Sequence, residues 1–127
     1  MLSRKQIVEK ALGVRVPTQY GIFLEKYGIY RAPGVEVFGV NDELLSYDWM
    51  PCVIGATELR RRRHGLPHRF IALHYTGIED EFICLDTEDE KIYSISRWLG
   101  DRKIADSFDE WFTRDILGRR TKPMNEQ

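Results

Sequence analysis

A chain of 127 residues, 43% hydrophobic and 31% charged, holds one ordinary globular domain able to bury its own core, and leaves little room for two. Nineteen basic residues against twenty acidic ones give a formal charge of -1, which excludes a global field drawing the protein to nucleic acid or anionic lipid; any basic patch has to act locally. No apolar run approaches the roughly 18 residues of a membrane helix, and "MLSRKQIVEK" lacks the apolar stretch of a secretory signal, so a cytoplasmic protein is the expectation.

Ser3 followed by Gln6 reads as a capping box, Ile7, Val8, Ala11 and Leu12 mark one helical face, and Gly13 closes a first helix from about Ser3 to Leu12. In "VPTQYGIFLEKYG", Pro17 suits a first helical turn, Tyr20, Phe23, Leu24 and Tyr27 repeat at helical spacing, and Gly28 offers a left-handed cap. "APG" turns the chain into "VEVFGV", a short strand pattern. Asn41 to Trp49 reads as loop or frayed helix. Pro51 to Arg63 reads as a third helix with Cys52, Val53, Ala56 and Leu59 inward, stopped by Gly65 and Pro67.

The period then changes. "FIALHY" and "EFICL" are nearly continuous apolar runs, expected of strands covered on both faces, and "KIYSIS" follows after a polar turn, close enough to complete an antiparallel meander. Ser107 and Glu110 form another capping box, with Phe108, Trp111, Phe112 and Ile116 on the inner face of a last helix. Helices, a meander and a closing helix imply an α+β domain over residues 1–117, with residues 118–127 as a polar tail.

"VPTQYGIFLEKYG", "GVEVFGV", "LPHRFIALHYTG" with "EFICLD", and "KIADSFDEWF" resemble, in that order, the successive signatures of the SUKH superfamily, the Smi/Knr-like domains, over Val16 to Phe112. The resemblance implies a curved, mainly antiparallel sheet flanked by helices, and no catalytic activity. Bacterial members look like immunity proteins that neutralise toxins, many of them acting on nucleic acids, whereas fungal relatives carry long extra segments, so the bacterial role is the expected one. Many relatives place a Gly-Asp pair before the central strand; here the stretch is "GIEDEF", with Gly77 as the displaced glycine and Asp80 or Glu81 in the acidic place.

The most conspicuous stretch is "LRRRRHGLPHR", Leu59 to Arg69. On a helix only Arg60 and Arg63 share a face, so the run forms no flat phosphate-binding stripe, and cations in a last turn are stabilised by the helix dipole. A non-helical ending would instead gather Arg61, Arg62, His68 and Arg69 into a nucleic-acid patch; there is no aromatic stacking motif beside it, and nucleic acid is the alternative partner rather than the expected one.

Glu79, Asp80 and Glu81 precede one strand and Asp86, Glu88, Asp89 and Glu90 follow it; they are expected to bracket one rim of the sheet and to steer a basic toxin, with Trp98 as an apolar anchor. Each acidic residue has the competing reading of a solvated turn, and Trp49 and Trp98 that of caps on the core edge. "DTEDE" lacks the spacing and glycine of a calcium loop. Cys52 and Cys84 have no zinc-ligand spacing and are read as reduced core residues, and His74, in an apolar strand, as a satisfied structural imidazole. No catalytic set, metal or cofactor is expected; the partner is a protein toxin encoded nearby, no membrane is involved, and homo-oligomerisation stays open.

Overall fold

The computed structural model describes residues 2–41, 52–78, 80–96 and 100–118. The Asn41 to Trp49 stretch beyond Asn41, Trp98, Glu79 and residues 119–127 of the tail lie outside them. Ser3 closes the reciprocal capping box with Gln6 at the head of α1 (Arg4–Leu12), and Gly13 ends it in the left-handed region. Helix α2 (Thr18–Lys26) buries Tyr20, Phe23 and Leu24.

A short hairpin follows, β1 (Tyr30–Ala32) paired antiparallel with β2 (Val35–Val37) around the turn at Gly34. The sequence pattern marked β2 but not β1, whose "YRA" carries no alternating apolar signal. Beyond β2 the chain runs tight against the end of α2: a Cβ on Gly39 would stand 1.7 Å from the Gly28 carbonyl oxygen, so only glycine fits. The Gly39 carbonyl accepts from the Val53 amide at 2.8 Å, seating the first turn of α3 (Val53–His64).

The main sheet is antiparallel in the order β3 (Phe70–Tyr75), β4 (Glu81–Asp86), β5 (Ile92–Ser96), β6 (Gly100–Ala105), which makes the domain α+β. β3 and β4 are buried almost throughout, as their unbroken apolar runs imply. β6 was not visible in the sequence: it is an edge strand whose Asp101, Arg102 and Lys103 face solvent, and such charges discourage pairing with another chain.

β3 is bulged at Leu73, between the pairs Ala72 with Cys84 and His74 with Ile83. β3 is also an edge strand of this sheet, and its outward backbone groups near the bulge are taken up by other elements. Thr57 of α3 accepts from the Ala72 amide at 3.0 Å, and the Leu73 carbonyl accepts from the Phe38 amide at 2.7 Å.

Parity along β4 assigns the two faces of the sheet. Ile83 shares a cleft with Trp111 and Ile116 of the C-terminal helix, whereas Phe82 and Cys84 face the end of α3. That C-terminal helix begins as α4 (Phe108–Trp111) and continues as a π-helical segment, Phe112–Leu117. Ser107 caps it by accepting from the Glu110 amide, but the Glu110 carboxylate turns to the Asp106 amide, so the expected box is half formed. Phe23, Phe108 and Phe112 pack with Tyr20 and Tyr30 at ring separations of 5.2–5.6 Å, welding α2, α4 and β1 together.

Candidate functional site

The acidic residues do not share one rim. β4 sets the Asp80 end and the Glu88 end roughly 16 Å apart, at opposite ends of the strand. Two of the carboxylates also point inward. Glu81 is buried, accepting from the Ser94 hydroxyl at 2.6 Å and the Thr76 hydroxyl at 2.9 Å, with the Arg102 guanidinium 3.8 Å away. Asp86 is buried as well: one oxygen accepts from the Glu88 amide at 2.8 Å, and the other takes the Arg69 Nε at 3.0 Å. Both carboxylates hold turns, and neither is presented to a partner.

The Ser94 hydroxyl, with help from Thr76 and Arg102 against the cost of burial, holds the Glu81 carboxyl below its ordinary value. The folded state therefore prefers the charged form. Its stabilisation is present above the unfolded value near 4.5 and is lost as pH falls through the lower folded value. Glu81→Gln is expected to flatten the loss of urea stability below about pH 4.5 relative to the parent; an unchanged acid limb would show that other groups govern it.

What remains exposed is the turn after β4. Glu88, Asp89 and Glu90 stand out from it, with Glu90 in the left-handed region and Asp89 accepting from the Tyr93 hydroxyl. Asp89 and Glu90 line the same hollow as Asp106, from the β6 to α4 connection. Asp106, paired with Lys103 at 2.6 Å, and its neighbour Glu110 thus extend the acidic end. Sequence reasoning missed both, because the strand that brings them there was itself not visible.

The arginines disperse. Arg61 donates to the His68 carbonyl, and the His68 ring reaches the Gly13 carbonyl at 3.0 Å, clamping α3 to the end of α1. Arg69 lies over Phe70 and grips Asp86. Arg60 lies over Phe82, with the guanidinium carbon 4.4 Å from the ring centre. The helix continues through His64, and Arg61, His68 and Arg69 each have a partner within the fold.

Arg60 and Arg63, the pair that share a helical face, form one wall of a groove of about 420 Å³ between α3 and the sheet. Its floor is Phe82, Cys84 and Ile95, and Asp80 and Asp101 stand at its lips. Arg60 contacts the His64 Nδ1 at 3.0 Å; a guanidinium only donates, so Nδ1 accepts and the imidazole proton sits on Nε2, 3.6 Å from Asp80. Burial lowers the Arg60 pKa, although Asp80 works against this.

His74 is buried with its Nδ1 2.8 Å from the Glu36 carbonyl, beside Trp111, in a structural position. Cys52 and Cys84 are free buried thiols, and burial pushes the Cys84 thiol well above its ordinary range, which suits packing rather than attack. Among the described residues no cluster of histidine, cysteine and carboxylate side chains is arranged to hold a metal ion, and no helix is long and apolar enough to cross a membrane.

Residues 3–117 match the family model described as SMI1-KNR4 cell-wall. No curated protein matches the chain.

Proposed function

The chain belongs to the SMI1-KNR4 family of the SUKH superfamily, and from that premise we propose that it is a non-catalytic binding module of the immunity-protein kind, which neutralises a toxin in the cytoplasm by stoichiometric contact. The mechanism is occlusion. A toxin that acts on nucleic acid carries a basic surface where phosphate would lie, and a fixed group of carboxylates both steers its approach and covers that surface.

The observation that supports this reading best is the turn after β4. The buried Asp86 accepts from the amides of Glu88 and Asp89 and is itself neutralised by Arg69, so the turn is rigid and Glu88, Asp89 and Glu90 remain outside it. Preorganised carboxylates lose little entropy on binding. The contact surface is therefore narrowed from both acidic clusters to this end, with Asp106 and Glu110 beside it. Contact with nucleic acid through Arg60 to Arg69 has less support, because Arg61 and Arg69 are occupied within the fold and Arg60 with Arg63 faces a groove that also carries Asp80 and Asp101.

The test is co-expression with the product of the neighbouring gene, scored for rescue of growth and for a stable complex. Glu88→Lys combined with Glu90→Lys is expected to slow association by about tenfold or more at low salt while leaving the thermal melt unchanged. Rescue and association that match the parent protein would show that this end is not the contact surface. RNA or DNA binding that weakens steeply with salt would favour the arginine reading instead.

A further inference from the structure

The acidic end leaves the groove at the opposite end of β4 unused, and its chemistry differs. α3 packs on β3 at the edge of its face of the sheet, so Phe82 and Ile95, on β4 and β5, form an apolar floor beside it. The stack of Arg60 on Phe82 continues outward, since Tyr75 packs on Phe82 at 5.0 Å, and the exposed Ile78 lies in the turn beyond Tyr75. Arginine and tyrosine beside an apolar pocket are the side chains that most often dominate protein contacts.

The charges in the groove are ordered as well. Arg60 uses one N–H on His64; its Nε is shut off from water without an acceptor, and no other acceptor for Arg60 or Arg63 is found among the described residues. The outward N–H groups of Arg60 and Arg63 are thus open to an acceptor, while the enclosed Arg60 Nε is not. Asp80 is drawn to His64, and Asp101 stands on the far lip with no partner among the described residues.

We propose that this groove is a docking site for a protein segment in which a carboxylate side chain, an aliphatic side chain and a basic side chain follow one another, matched to the Arg60 and Arg63 wall, the Phe82 and Ile95 floor and the Asp101 lip. The stack on Phe82 fixes the Arg60 plane before binding, so the carboxylate meets an oriented fork rather than a flexible chain. Asp80, already turned to His64, keeps a second carboxylate from entering at the near end. The site does not depend on the toxin reading, because the recognition is written in the groove itself.

The probe is the capped pentapeptide Ala-Glu-Leu-Lys-Ala, titrated into the isotope-labelled full chain and followed by amide chemical shifts. Shifts are expected to concentrate at Arg60 to Leu66, Phe82 and Ile95, with a dissociation constant on the order of 1 mM. Binding should weaken by about fivefold or more with the Gln-Leu-Gln peptide, and similarly with the Arg63→Glu chain, whose altered side chain is exposed and leaves the stack intact. Asp101→Asn should reduce the advantage of the lysine-bearing peptide. Shifts spread over other surfaces, an equal response to the neutral peptide, or no response at several millimolar would overturn the assignment. Since no toxin is involved, failure here leaves the rescue experiment standing, and failure of rescue leaves this one.

Discussion

Gly39→Ala is expected to destabilise the domain by about 3 kcal/mol or more, at the upper end of overpacking costs, and to lower the melting temperature by about 10 °C or more. The added methyl would stand 1.7 Å from the Gly28 carbonyl oxygen, a backbone atom at the end of α2 that no rotamer change can move away. Relief requires prising the segment from α2, and the segment is held on its other side by the Val53 amide and by flanking Phe38 and Val40, both buried. Gly34→Ala is the matched control: its φ of 74° strains a side chain, but its Cβ position is open, so the cost should stay near 1 kcal/mol. Urea melts followed by far-ultraviolet circular dichroism separate the two. Equal losses would mean that the close approach at Gly39 carries no special weight.

Trp111→Ala is expected to cost about 3–5 kcal/mol, a large share of a typical domain stability of about 5–15 kcal/mol. The indole is 1% exposed and sits at the junction of α4 with the sheet, 6.0 Å from the His74 ring and 5.8 Å from Phe108. Its removal opens a cavity between two layers that the aromatic cluster cannot refill, since those rings already pack on one another. Trp111→Phe should recover part of the loss. Circular dichroism melts of both variants provide the measurement, and a loss below about 1 kcal/mol for the alanine variant would place the core's centre elsewhere.

The sequence showed those elements whose local and global demands agree. α1 and α2 carry caps together with apolar spacing, and β3 and β4 carry unbroken apolar runs because both faces are covered. β1 and β6 escaped notice for a shared reason: three residues hold no period, and an edge strand such as "GDRKIA" is written in the charges that keep it solvated. The acidic clusters were legible as turns, but depth was not. Glu81 and Asp86 end up buried because their partners, Ser94 and Thr76 for one and Arg69 for the other, arrive through strand pairing and turn geometry that no short window contains. A signal did exist at Asp86, whose side chain precedes two polar residues in the manner of an Asx turn. For the groove, the i,i+3 relation of Arg60 and Arg63 gave the wall, and only the register of β4 against β5, Phe82 opposite Ile95, could give the floor.

The irregularity in β3 reaches beyond local geometry. Removing Leu73 to even out the ladder would keep the pairing of β3 with β4, but it would strand the Phe38 amide, which bonds the Leu73 carbonyl, and take a fully buried leucine out of the core. Length is therefore constrained in this strand, while the exposed side chains of the turns on either side of β4, such as Ile78, Glu88 and Glu90, can change without touching the core. As related chains diverge, new specificities have room to arise at those turns, whereas the middle of β3 can change its letters but not their number.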